Sequence, residues 1–100
     1  MARGDTAELM EIARDYFEET RRVMPGWPVM AEAGDYAGLR AELHRCRGGA
    51  CIFGLDRLTA LLIAHERPGM LETRGFDMAT FEQELGAAEN ALKAMTESAT

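Results

Sequence analysis

In the middle of the chain Tyr36, Leu39, Leu43, Cys46, Ala50 and Phe53 follow one another at intervals of three, four, three, four and three residues. That spacing returns to one side of a helix with 3.6 residues per turn and draws a narrow stripe of bundle type. Phe81, Leu85, Ala88, Leu92 and Met95 repeat the pattern as 4-3-4-3. Leu9, Ile12, Ala13, Tyr16, Phe17 and Val23 form a third stripe, and Leu55, Leu58, Leu61, Leu62 and His65 a fourth. No alternating β-branched run competes with these, and valine occurs only at 23 and 29. Glycine and proline punctuate the stripes, because proline lacks the backbone donor and biases its predecessor away from helix. Helices are therefore predicted from about Thr6 to Met24, Tyr36 to Phe53, Leu55 to Glu66, and Asp77 or Thr80 to Thr96, with Asp5-Thr6-Ala7-Glu8 as a capping box. A short helical piece is expected at Val29–Ala33 and a further turn through Met70-Leu71, with Pro25-Gly26-Trp27-Pro28 ending the first helix. Short connections favour antiparallel neighbours. The expected fold is all-α, an antiparallel up-and-down four-helix bundle with room for an extra short helix.

One hundred residues make one domain spanning 1–100, large enough for a single core. Apolar residues are 47% of the chain and charged residues 28%, a globular balance without an apolar run near 18 residues, so no membrane partner is expected. Seventeen acids against eleven bases give a net charge of −6, the opposite of what a domain holding nucleic acid by counterion release carries. Cys46 and Cys51 lie five apart within one predicted helix and point in different directions, so no disulfide and no zinc spacing is read from them. A reduced, cytoplasmic, monomeric protein is the expectation, without cofactor or metal.

One segment breaks the rules that the rest obeys. Gly48 and Gly49 sit inside an otherwise regular amphipathic helix, where each costs about 0.8–1 kcal/mol relative to alanine. At roughly 100° per residue, His44 projects about 125° from the centre of the apolar stripe, towards solvent. Gly48, at i+4, lies on the same side and leaves the ring approachable, whereas Gly49 points elsewhere and is read as a close-packing position. Arg40 at i−4 and Arg47 at i+3 place positive charge around the imidazole, which suits a histidine that acquires an anion such as a phosphoryl group.

The run His44-x-x-Arg47-Gly48-x5-Gly54 resembles the phosphorylation motif of histidine phosphotransfer domains, in which His-x-x-Lys-Gly, five residues and Gly surround the phosphorylated histidine. Gly48-Gly49-Ala50-Cys51-Ile52-Phe53-Gly54 is most similar to the variant found in chemotaxis-type histidine kinases, and the resemblance covers roughly residues 8–95. It implies that His44 is the phosphoacceptor, that Arg47 steadies the phosphoryl group, and that Glu66 faces the histidine. Arg40, Gly48 and Cys51 are expected on the surface a partner meets. The partners implied are a histidine kinase catalytic domain and a response-regulator receiver domain. The chain departs from the pattern in three places. Arg47 replaces lysine, a planar fork for a point charge; Pro68 interrupts a helix that normally continues; and Ile63 stands where a second histidine is often found, His65 lying beside Glu66 instead.

The function expected is phosphorelay: the chain is a carrier with no nucleotide-binding loop of its own, a relay substrate more than an enzyme. The alternative is a non-catalytic helical docking or dimerisation module that regulates a kinase, for which the seven methionines speak. A metal site from His44, Cys51 and His65 is the weakest reading, since the Glu-x-x-His pairs of di-metal bundles are missing.

Overall fold

The breaks between helices follow from a few residues of special backbone geometry. The computed structural model describes the backbone of residues 2–99 and the side chains of residues 7–95. Its elements are α1 (Ala2–Val23), a 3₁₀ turn (Met24–Gly26), α2 (Trp27–Glu32), α3 (Tyr36–Ile52), α4 (Asp56–Glu66), α5 (Met70–Arg74) and α6 (Met78–Ala99). The fold is all-α, with no strand among the described residues. Helix α1 is already helical at Ala2, so it does not begin at the box expected around Asp5. The side chains of Asp5 and Thr6 lie outside the described set.

The Pro25–Pro28 segment ends α1, as expected, but the chain continues in helical turns through it. Each proline occupies the first turn of a new helical piece, where its missing N–H would have had no intrahelical partner anyway, and the chain stays helical as it turns. Trp27, read from sequence as part of a break, is instead fully buried. Its indole stacks edge-on against Phe81 and Phe76, at 4.9 and 5.7 Å between centroids, and its N–H reaches Glu42 Oε1 at 3.4 Å.

Asp35 precedes α3 and accepts a hydrogen bond from the Gly38 N–H at 3.0 Å; Asp77 does the same for Thr80 before α6, also at 3.0 Å. Such carboxylates satisfy donors that the first turn of a helix leaves unpaired. At the other end of α3, Gly54 takes φ 67°, the left-handed value that glycine adopts without steric penalty. Leu55 N–H then bonds to Ala50 O at 2.9 Å and Gly54 N–H to Cys51 O at 3.1 Å, a Schellman closure that folds α4 back along α3. The pairs His44–Glu66 and Arg40–Glu72 show the two arms running in opposite directions, since falling numbers on α3 meet rising numbers beyond them.

Phe17, Trp27, Leu39, Leu43, Cys46, Ala50, Leu55, Leu58, Leu62, Leu71, Phe81 and Leu85 form one buried cluster. Leu39, Leu43, Cys46 and Ala50 of α3, Leu58 and Leu62 of α4, and Phe81 and Leu85 of α6 lie on the stripes their spacing drew, and Phe17, Trp27 and Leu71 join them from α1, α2 and α5. Leu9, Ile12 and Met95, expected in the same faces, are exposed. Ile12 lies about 140° around α1 from Phe17 and so points off the face on which Ala13 and Phe17 are buried. Leu9 and Met95 lie where α1 and α6 run past the α3–α4 turn, which comes level with Tyr16, whose ring lies 5.6 Å from Phe53. His65, expected on the buried side of α4, is half-buried; its Nδ1–H donates to Leu61 O at 2.9 Å and its ring lies edge-on to Phe76. Among the described residues no helix is long and apolar enough to cross a membrane.

Candidate functional site

A helix of seventeen residues carries His44 near its middle, on the side away from Leu39, Leu43, Cys46 and Ala50, all of which are buried. The side chain of His44 is 69% exposed. Opposite it, α4 stops at Glu66 because Pro68 follows. Arg67, the residue before the proline, takes an extended backbone (φ −60°, ψ 142°). Glu66 is thereby the last helical residue of α4, and its carboxylate turns towards α3 instead of away from it. Glu66 Oε1 lies 3.0 Å from His44 Nδ1, and Glu66 Oε2 accepts from Arg47 Nε at 2.7 Å. Three residues picked from the sequence, 44, 47 and 66, thus meet in one cluster bridging two helices.

A carboxylate at a helix C-terminus faces the negative end of the helix dipole, an unfavourable place for it alone. Arg47 compensates. Glu66 is 16% exposed and Arg47 30%. Burial pushes the Glu66 carboxyl up, but the hydrogen bonds from Arg47 and His44 and their charges outweigh this and hold it below the ordinary carboxylate value. The same bond, together with the carboxylate's charge, outweighs burial and raises Arg47. A carboxyl lowered in the folded state contributes stability that is complete above its unfolded value and is lost as pH falls through the folded one. We expect the difference in urea midpoint between the wild type and Glu66→Gln to be constant near neutral pH and to shrink in acid, below the usual carboxylate range. A difference independent of pH would show that the Glu66 charge adds nothing to the fold.

The arginines do not form the uncompensated positive surround expected around His44. Arg40 pairs with Glu72 of α5 at 3.0 Å, Arg45 with Glu42 at 3.1 Å, and Arg47 with Glu66. The acids on α4 and α5 come from distant sequence, so the stretch around His44 could not reveal them. Arg40 is held one turn from His44 with its charge already met. Cys51 is exposed, two turns along α3 from His44. Gly48 has nothing within 4 Å of where a Cβ would stand, so the side of the helix between His44 and Cys51 is open.

Gly49 serves packing. A Cβ there would lie 2.3 and 2.4 Å from ring carbons of Tyr16. The Tyr16 hydroxyl reaches past Gly49 and donates to Cys46 O at 2.8 Å, with Cys46 Sγ at 3.2 Å, tying α1 to α3 beneath the site. Burial pushes both the Tyr16 hydroxyl and the Cys46 thiol up, so both stay neutral and structural. His65 is not gathered to the site. Its Nδ1 is bound to Leu61 O, and its Nε2 faces the Asp77 N–H at 3.5 Å. Among the described residues no cluster of three His, Cys, Asp or Glu is placed to hold a metal ion.

The ring contacts of His44 contain a contradiction of practical interest. Nδ1 lies 3.0 Å from Glu66 Oε1, which can only accept, and 2.8 Å from Arg47 Nη2, which can only donate. With a proton on Nδ1 the first is a hydrogen bond and the second is not; without it the roles reverse. Nε2 stands across the ring from both contacts, on a side chain that is mostly exposed.

Comparison with protein-family models, with curated proteins and with solved structures returns no match.

Proposed function

We propose that this chain is a histidine phosphotransfer domain, an antiparallel up-and-down bundle of α1, α3, α4 and α6 in which His44 carries a phosphoryl group between a histidine kinase and a receiver domain. The observation that carries the reading is the exposed His44 ring facing Glu66 at 3.0 Å across the α3–α4 groove. An imidazole attacks phosphorus through a nitrogen with a free lone pair. When Nδ1 holds the proton and donates a hydrogen bond to the Glu66 carboxylate, Nε2 has that lone pair on the opposite side of the ring. On attack the Nε2–P bond forms as the bond from phosphorus to the donor's leaving atom breaks, and the leaving group departs with that electron pair. The ring becomes cationic, and Glu66 stabilises the charge through Nδ1–H, as a carboxylate does for a catalytic imidazolium. Return of the phosphoryl group to an aspartate of a receiver runs the same step in reverse. The nucleotide and metal chemistry belongs to the partners. Gly48 provides the clearance that lets them approach, with Cys51 and Arg40 at the edges of the contact.

The test is direct. The protein is incubated with phosphoramidate, and separately with histidine kinases and ATP or with phosphorylated receivers. The expected product is one phosphate per chain, labile in acid and stable in base, which a receiver domain then removes. Failure of every donor to label the chain favours instead a helical docking module, to which the exposed Leu9, Ile12, Ile52 and Met95 would contribute.

A further inference from the structure

His44 Nδ1 is contested. Its two neighbours want opposite protonation states, and neutral imidazole has one proton to place. Three distances describe the contest. Arg47 Nη2 is 2.8 Å from Nδ1, nearer than Glu66 Oε1 at 3.0 Å. Arg47 Nη2 is also 3.4 Å from Glu66 Oε1, longer than the Nε–Oε2 bond of 2.7 Å, so the guanidinium fork is skewed off its carboxylate towards the ring. Glu66 is therefore already served through Oε2, whereas Nη2 finds its nearest acceptor in the histidine. A lysine could not do this, because a point ammonium offers no second, rigidly spaced donor that binds the carboxylate and the ring together.

We propose that Arg47 is a positioning residue that holds resting His44 with its proton on Nε2, and that an incoming phosphoryl anion releases the ring by drawing the guanidinium away. This rests on the phosphotransfer reading for its consequence, though not for its geometry. At rest Arg47 donates to Nδ1, Nε2 carries the proton, and the outward nitrogen has no lone pair to attack with. A phosphoryl group arriving at the exposed edge offers oxygens that a guanidinium binds well. As Nη2 swings to them, Nδ1 loses its donor; the ring proton leaves Nε2 to solvent and another is taken up at Nδ1, where Glu66 accepts the bond. Nε2 then has its lone pair. The proton count of the ring is unchanged, and the charge of the arriving anion is met by the arginine it has displaced. The site is thus armed by its substrate and idle without it.

The proposal is tested by ¹⁵N chemical shifts of the His44 ring at mildly alkaline pH, where the neutral ring reports which nitrogen is protonated. The Nε2–H tautomer should dominate in the wild type, and Arg47→Met should shift the ratio towards Nδ1–H by about tenfold, the low end for a charged hydrogen bond at an exposed site. Arg47→Lys should also move towards Nδ1–H, because it cannot hold the fork geometry; the His65 resonances in each variant verify that the fold is intact. With phosphoramidate as donor, Arg47→Met should need more donor for half-maximal rate, because the guanidinium that meets the arriving anion is gone. A wild type already in the Nδ1–H form overturns the proposal. So does a tautomer ratio indifferent to Arg47, or a donor requirement that the substitution leaves unchanged. If phosphoramidate labels no form of the protein, the phosphotransfer reading fails, while the tautomer ratios still decide whether Arg47 controls the ring.

Discussion

His44→Gln is expected to fold as the wild type does and to accept no phosphate from any donor. The ring is mostly solvent-exposed and lies off the buried stripe, so its removal should cost less than about 1 kcal/mol, as surface changes do. Arg47 continues to pair with Glu66 through Nε and Oε2, so the carboxylate is not orphaned by the change. Loss of labelling should be complete, because glutamine has no nucleophilic ring nitrogen. The remaining histidine is not a substitute. His65 is half-buried, its Nδ1 is committed to Leu61 O, and its Nε2 faces the Asp77 backbone, so neither nitrogen is presented to a donor. Far-UV circular dichroism and the urea midpoint check the fold, and intact mass after phosphoramidate treatment checks acceptance. Label retained by the variant, or moved to His65, would remove His44 from the phosphoacceptor role.

Where the chain could be read ahead of its structure, the information was local. The interval of three and four between Leu39, Leu43, Cys46 and Ala50 is a statement about one helix, and all four are buried. The cap at Asp35, which accepts from the Gly38 N–H, likewise involves only residues within its own turn. The bare approach at Gly48 followed from its spacing to His44, and the open space there agrees with it. What escaped was set by tertiary partners. Trp27 stands among prolines and glycine, a context that reads as a break, and only the ring cluster of Phe76 and Phe81 explains its burial. Leu9 follows the helical period to Ala13, which is buried, yet it lies beyond the reach of the α3–α4 turn and is exposed. The electrostatics of the site were misjudged for the same reason. Arg40 and Arg47 look like free positive charge in their own helix, and the acids that meet them, Glu72 and Glu66, arrive from 32 and 19 residues away. No spacing within α3 could announce them, although the family resemblance did single out Glu66.

Adjacent glycines with opposite duties give the sharpest contrast the site offers. Gly48→Leu is expected to stabilise the protein and block exchange with protein partners, and Gly49→Ala to destabilise it and leave chemical phosphorylation intact. At Gly48 a new side chain meets open space, so helix propensity acts unopposed and contributes about 0.5–1 kcal/mol. Side chains on a helix lean towards its N-terminus, so leucine at 48 covers the turn that carries His44. A small donor such as phosphoramidate can still reach Nε2 past it, whereas a folded receiver cannot; transfer to a receiver should fall by well over tenfold, each factor of ten being about 1.4 kcal/mol of barrier. At Gly49 the added methyl would come within 2.3 Å of the Tyr16 ring, which cannot simply swing aside. Its hydroxyl is bound to Cys46 O, and its ring packs on Phe17 and Phe53 at 5.4 and 5.6 Å. Overpacking of this kind costs about 1–3 kcal/mol, more than the roughly 1 kcal/mol gained in propensity. Denaturant midpoints of the two variants should therefore move in opposite directions from the wild type, and rates with phosphoramidate and with a phosphorylated receiver should separate access from folding. A Gly48→Leu protein that exchanges phosphate normally with a receiver would place the contact elsewhere on the surface. A Gly49→Ala protein as stable as the wild type would mean that the Tyr16 ring yields more readily than its hydrogen bond to α3 suggests.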